Sequence, residues 1–178
     1  MTSPTSDHTG LIDLLRDELK TLKDEQRERI KLRDNLIYSA VLAIAAVAGG
    51  TRLAGPAVPL LLPPVTLALG WTYLVTDHQI SAIGRYLRTD LAPRLAALLG
   101  TDVLRWETAH RTDRRRRQRK SIQLSVDLLV FVVPAAVALA WYWTSHPTGA
   151  LIGVSALEAV AVLAAAWQHI AYADITHH

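Results

Sequence analysis

The fold is decided by the stretch GALIGVSALEAVAVLAAAWQH at residues 149–169. As a helix rising about 1.5 Å per residue, this stretch reaches across the roughly 30 Å hydrocarbon core of a bilayer. It carries one carboxylate, Glu158, close to its middle. Placing an ionisable side chain at that depth costs roughly 2.5–3.5 kcal/mol on insertion scales. We therefore expect Glu158 to have a partner or a function.

Three further apolar stretches, residues 36–54, 57–75 and 122–143, are also long enough to cross a bilayer. The fold class predicted is therefore all-α, a polytopic membrane protein with four transmembrane helices. The remaining segments are too short for an independent soluble enzyme domain, and the chain has no cysteine for a disulfide or thiolate site. The predicted order is a cytoplasmic amphipathic helix (1–35), a transmembrane hairpin (36–75), a basic helical cytoplasmic loop (76–121), a second transmembrane hairpin (122–169) and a cytoplasmic tail (170–178).

The distribution of basic residues predicts the orientation of these spans. Seven of the 19 Lys and Arg residues precede the first span, eleven lie in the loop before the third, and only Arg52 lies elsewhere. Because Lys and Arg concentrate on the cytoplasmic side, both termini are predicted to be cytoplasmic. Aromatic residues near the span ends, such as Trp141, Tyr142, Trp71 and Tyr73, agree with this placement. The excess of Arg over Lys is typical of GC-rich bacteria, which predicts a multi-pass protein of the bacterial inner (plasma) membrane.

The segment before the first span predicts an amphipathic helix over residues 11–34. No helix-breaking residue separates it from the span, so we expect one continuous helix to about residue 48. The apolar stripe of this helix either packs on other cytoplasmic helices or forms a short coiled coil that sets the subunit number. The stripe consists of Leu11, Leu15, Leu19 and Leu22.

The sequence of the cytoplasmic loop predicts short amphipathic helices. One is expected over residues 76–88, and a second is expected to be capped by Thr89 or Asp90 and to end at Gly100. The loop then carries the run RRRRQRK directly before the third span. This run either anchors the chain on anionic lipid headgroups or binds a polyanion such as a nucleotide. Aromatic residues for base stacking are sparse nearby, which argues against nucleic acid. The predicted anion-contacting residues are Arg114, Arg115, Arg116, Arg117, Arg119 and Lys120.

Glu158 lies among small and apolar residues of its helix, including Ser155. Small residues allow another helix to approach closely, so a lipid-facing carboxyl is not expected. Two alternatives stay open. Either a protonated Glu158 bonds the mid-span hydroxyl of Thr66, or Glu158 side chains from several subunits line a cation-conducting or proton-sensitive pore.

Near the cytoplasmic end of the third span, Gln123 and Asp127 share one helical face with Arg116 and Lys120. Asp127 either pairs with an arginine of the loop or lines an inner vestibule.

Pro63, Pro64 and Pro134 predict broken backbone hydrogen bonds and kinks inside spans. The predicted pore or gate residues are Glu158, Asp127, Gln123, Ser155 and Thr66. No catalytic arrangement or metal-ligand spacing is present, so we expect no enzyme activity, no cofactor and no metal.

Three strings carry a family resemblance: LRDNLIYSAVLAIAAVAG (32–49), LLPPVTLALGWTYLVTDHQISAIGRYLR (61–88) and LRWETAHR (104–111). They resemble a family of small four-helix integral membrane proteins of high-GC bacteria. That family has no catalytic motif, so no site residues carry over. The architecture is also similar to that of transmembrane effectors of bacterial antiviral defence systems. This likeness implies a cytoplasmic part that senses a nucleotide or protein signal and a membrane part that oligomerises to collapse the membrane potential.

The function predicted is a homo-oligomeric gated membrane channel or pore-forming effector, with mid-membrane Glu158 lining or locking the pore. The alternative is a non-conducting membrane scaffold or regulator that recruits a cytoplasmic partner. Four spans without an internal repeat argue against a secondary transporter.

Overall fold

The computed structural model of this chain describes residues 4–55, 57–101, 116–145 and 149–173. Within these ranges every regular element is helical and no strand occurs. Four helical segments are long and apolar enough to cross a membrane, and each overlaps one of the four predicted stretches to within two residues at its ends. The all-α class and the four apolar helices of spanning length are therefore confirmed.

The helices follow one another with few interruptions. The first is continuous through residue 48, as predicted, because no proline interrupts it before its end. The elements are α1 (Pro4–Ala54), a 3₁₀ turn (Val58–Leu61), α2 (Leu62–Tyr86), a π-helical turn (Leu87–Leu91), α3 (Ala92–Leu99), α4 (Arg116–Asp127), a second π-helical turn (Leu128–Val132), α5 (Val133–Thr144) and α6 (Gly149–Tyr172).

The predicted helix start at Thr89 or Asp90 is wrong, because the chain stays helical from α2 through the π-helical turn into α3. The Thr89 hydroxyl donates to the carbonyl of Arg85 (3.0 Å), so it bonds within the helix instead of capping a new one. Asp90 forms an ion pair with Arg94 (3.0 Å). Gly100, at φ +66°, ends α3 as predicted, in the left-handed region that favours glycine.

The prolines of the apolar helices lie beside irregular helical turns. Pro63 and Pro64 lie in the first turn of α2, directly after the 3₁₀ turn, and the N–H of Leu62 before them donates to the carbonyl of Pro59. Pro134 follows the second π-helical turn, in which the N–H of Val133 donates to the carbonyl of Leu128. The wider turn accommodates a ring that would otherwise clash with the preceding turn.

The described residues form two compact units. The charged unit contains residues 4–32, 76–101 and 116, and the apolar unit contains the described residues of 33–75 and 117–173. Both α1 and α2 contribute residues to each of the two units.

In the charged unit, the beginning of α1 packs against the end of α2 and against α3. Leucines form the core, and polar bonds flank it: Tyr86 Oη donates to Glu18 Oε1 (2.7 Å), and the guanidinium of Arg29 donates to Gln79 Oε1. The predicted stripe packs on the other helices as expected, except that Leu11 is 44% exposed. The buried leucines are Leu15, Leu87, Leu91 and Leu95, with Leu19, Leu22, Ile83 and Leu98 packed against them.

In the apolar unit, two clusters of buried side chains hold the helices together. One joins the 3₁₀ turn, α5 and α6 through Leu60, Leu139 and Val162. The other joins α1, α2 and the second π-helical turn through Ala40, Tyr73 and Phe131. The tryptophans near the span ends, Trp71, Trp141, Trp143 and Trp167, are exposed as expected for interface residues, whereas Tyr73 and Tyr142 are buried.

Candidate functional site

Glu158 is half-buried in the apolar part of α6. Its Oε2 atom is inaccessible to solvent and has no hydrogen-bond partner among the described residues. The hydroxyl of Thr66 donates instead to the carbonyls of Leu62 (2.9 Å) and Pro63 (3.2 Å) of its own helix. The hydrogen bond between Glu158 and Thr66, one of the two alternatives from the sequence, is therefore not formed. Glu158 is left as a carboxyl group that lacks a described partner.

Ser155 is fully buried one turn before Glu158. Its hydroxyl donates to the carbonyl of Ile152 (3.0 Å), so it too is satisfied by its own helix. Ser155 and Thr66, both predicted pore residues, therefore turn their hydroxyl groups toward backbone.

The outward surface of α6 around Glu158 is apolar and largely uncovered within one copy of the chain. Leu157 and Leu163 are each 71% exposed, and Val160 is 64% exposed. Glu158 therefore lies at the edge of an exposed apolar surface, of the kind that marks contact with lipid or another protein.

A second polar group links three helices of the apolar unit. The hydroxyl of Tyr73 (α2) lies within hydrogen-bonding reach of the carboxylate of Asp127 (α4) and of the amide of Gln123. The guanidinium of Arg33 (α1) lies close enough to act on Tyr73 electrostatically. Tyr73 and Asp127 are 3% and 7% exposed. We call these four residues the tyrosine cluster.

The tyrosine cluster brings together Asp127 and Gln123, two of the predicted gate residues. The sequence predicted their common face but missed Tyr73 and Arg33. Two spacings indicate the missed residues: Tyr73 lies seven residues after buried Thr66, and Arg33 lies seven before buried Ala40, so each shares a buried helical face. No described contact joins Glu158 to this cluster.

His169 is the other group that sequence reasoning missed. It is 2% exposed, its Nδ1 has no partner among the described residues, and its ring stacks on Phe131 with centroids 6.0 Å apart. Gly70 allows this close packing, because a Cβ there would lie 3.1 Å from the Cβ of Phe131. A cavity of about 360 Å³ lies beside this group and extends to Thr66. The sequence feature that indicates a buried His169 is its spacing: Ser155, Val162 and His169 follow one another at seven residues and so share one face of α6.

The basic run is described only in part. Arg114 and Arg115 lie outside the described residues. Arg116 and Arg117 belong to the first turn of α4, and their side chains are likewise not among those described. Arg119 is exposed and Lys120 is half-buried. The anion-contact role of the run stays a prediction.

No protein-family model, no curated protein and no solved structure matches this chain. The family resemblance and the likeness to antiviral effectors therefore stay predictions.

A double-mutant cycle tests the tyrosine cluster. Tyr73→Phe and Asp127→Asn are each expected to lower the thermal stability of the purified protein, and the two changes together are expected to show a coupling of about 0.5–1.5 kcal/mol. Tyr38→Phe is the matched control, because Tyr38 is 72% exposed and its coupling to Asp127→Asn should be near zero. Equal coupling for both tyrosines would contradict the described hydrogen bond.

Proposed function

We propose that this chain is the subunit of a homo-oligomeric, gated membrane channel or pore-forming effector of the bacterial inner membrane. The observation that carries the proposal is Glu158, a half-buried carboxyl group without a described partner in the apolar part of α6. Such groups inside spans generally face a protein interior or a water-filled path and mark ion pathways. Antiviral defence is the setting that the architectural likeness suggests.

Oligomerisation follows from the energetics of this carboxyl group. In a single copy, the uncovered part of Glu158 would contact acyl chains, at a cost of roughly 2.5–3.5 kcal/mol. A second copy packed on the exposed surface of α6 removes that contact. Cyclic symmetry then repeats Glu158 around one axis, and rings of carboxylates are a common selectivity device of cation channels.

The charged unit is proposed to carry the gate. The helices α1 and α2 extend without a break from the charged unit into the apolar unit, and Arg33 and Tyr73 lie on these same helices. A nucleotide or protein signal that shifts α1 against α2 would therefore act on the tyrosine cluster. The partners implied are a cytoplasmic regulatory protein or nucleotide and the anionic headgroups of the bilayer.

Ion flux in proteoliposomes tests this proposal. Vesicles that contain the purified protein and carry a potassium diffusion potential are expected to lose that potential faster than empty vesicles. Because a resting channel is closed, the assay is repeated at increasing protein density and with lysate nucleotides added. Vesicles that hold their potential under every condition would contradict channel function.

Cysteine labelling tests the orientation. The chain has no native cysteine, so a single introduced thiol gives an unambiguous signal. In spheroplasts, an impermeant maleimide is expected to label Leu53→Cys, whose position is 91% exposed, and to label Thr101→Cys only after permeabilisation. The reverse pattern would place the charged unit outside and contradict the proposed topology.

The scaffold alternative is favoured by the uncovered leucines of the charged unit. Leu14 is 65% exposed, and Leu11 and Leu99 are 44% and 45% exposed, which offers an apolar surface for a partner helix. A scaffold would yield a stoichiometric partner in pull-downs that Leu14→Ser abolishes, while vesicles stay impermeable. A channel would show ion flux that Leu14→Ser leaves in place.

A further inference from the structure

A groove of about 340 Å³ opens on the apolar unit between the end of α1, the 3₁₀ turn and α5. Its walls are almost entirely apolar and include Val47, Leu62 and Val137. Two polar residues, Thr51 and Arg52, lie at the end where α1 finishes, and Trp141 of α5 also lines the groove. The groove is therefore a long apolar surface with a cation at one end.

Arg52 is the one basic residue outside the N-terminal segment and the loop. It is exposed and forms no ion pair with any residue that the structure describes. The hydroxyl of neighbouring Thr51 donates to the carbonyl of Val47 (2.7 Å), so the guanidinium is the available donor at this end. The C-terminus of a helix favours a cation, but a guanidinium has five N–H donors and binds oxyanions in a bidentate manner.

The chain offers no carboxylate at this end of the apolar helices. Residues 35–76 and 128–157 contain no Asp or Glu, so neither this chain nor a second copy offers a carboxylate near that end of the spans. The nearest along α6 is Glu158, nine residues after Gly149 and therefore about 13 Å deeper. In a membrane, the anions within reach of Arg52 are the phosphates of the lipid headgroups.

We propose that this groove binds one acyl chain of an anionic phospholipid whose phosphate is held by Arg52. Arg52 lies two residues before the end of α1, and Trp141, 56% exposed, lies three before the end of α5, so both are at headgroup level. From Arg52 to Ile44 the groove follows eight residues of α1, or about 12 Å. That length is close to the roughly 15 Å hydrocarbon thickness of one leaflet.

Photo-crosslinking tests the site in the full chain. The protein is placed in phosphatidylcholine nanodiscs that contain a small fraction of phosphatidylglycerol with a diazirine in one acyl chain, and labelled peptides are mapped by mass spectrometry. Labelling is expected at the groove residues of α1 and α5. Arg52→Gln should lower it about tenfold, the loss expected for one charge-assisted contact to phosphate. Arg85→Gln, which removes the same charge from the charged unit, should leave it unchanged.

A second variant keeps the test independent of the folding of Arg52→Gln. Ala48 lines the groove and is exposed, so Ala48→Phe fills the groove without entering the core and should abolish labelling there. A phosphatidylcholine probe with the same diazirine should label the groove several-fold less. Equal labelling by the two probes, unchanged labelling of Arg52→Gln, or crosslinks from the groove to a second copy would each overturn the proposal.

Discussion

Glu158→Gln is expected to lower cation flux through the protein at least about tenfold, because replacing the carboxylate by an amide removes the negative charge proposed to attract cations. The substitution keeps the size of the side chain. Because Glu158 Oε2 has no hydrogen-bond partner among the described residues, the substitution breaks no described bond, and thermal stability should be unchanged. The measurement pairs flux in proteoliposomes with thermal unfolding of the same preparations.

The matched control for this change is Glu28→Gln. Glu28 is exposed in the charged unit, and the same replacement there should leave both flux and stability at the wild-type values. Wild-type flux in the Glu158→Gln protein would contradict the proposed role of Glu158 in the pore. A loss of flux that accompanies unfolding would assign Glu158 to structure instead.

Leu91→Ala is expected to destabilise the charged unit by about 2–5 kcal/mol, the range for removing a buried leucine side chain from a packed core. Leu91 is fully buried in the cluster that contains Leu15, Leu87 and Leu95. Hydrogen exchange of the full chain in nanodiscs measures the effect, because the amides of residues 11–32 and 80–99 should exchange faster.

Leu14→Ala provides the comparison for Leu91→Ala. Leu14 lies on α1 beside the core leucine Leu15 but is 65% exposed, so its truncation should change stability by no more than about 0.5 kcal/mol. Similar exchange rates in the two variants would contradict the packing of α1 on α2 and α3.

The spans could be predicted from the sequence because apolarity over some twenty residues is a local property. The leucine stripe of α1 could be predicted for the same reason, since periodicity shows which face packs. The continuity of the helix from α2 into α3 could not be predicted. Thr89 and Asp90 are good capping residues, but burial of Leu87 and Leu91 on either side keeps the chain helical. Local capping preference, worth about 1 kcal/mol, is outweighed by the burial of two leucines.

The partners of the polar groups in the apolar unit could not be predicted from the sequence either. The sequence indicated that Glu158 and Asp127 needed partners, because ionisable groups in apolar helices are costly. Which partners they have is a tertiary property. Asp127 bonds Tyr73, which was predicted as an interface aromatic, while the hydroxyl of Thr66, expected at Glu158, turns to its own backbone.

The most direct test of the central claim is the mass of the protein assembly extracted into lipid nanodiscs. We expect a defined assembly of three or more copies, which would bring several Glu158 side chains around one axis. A monomer would leave one Glu158 within one set of four helices, and that result would contradict the oligomeric channel.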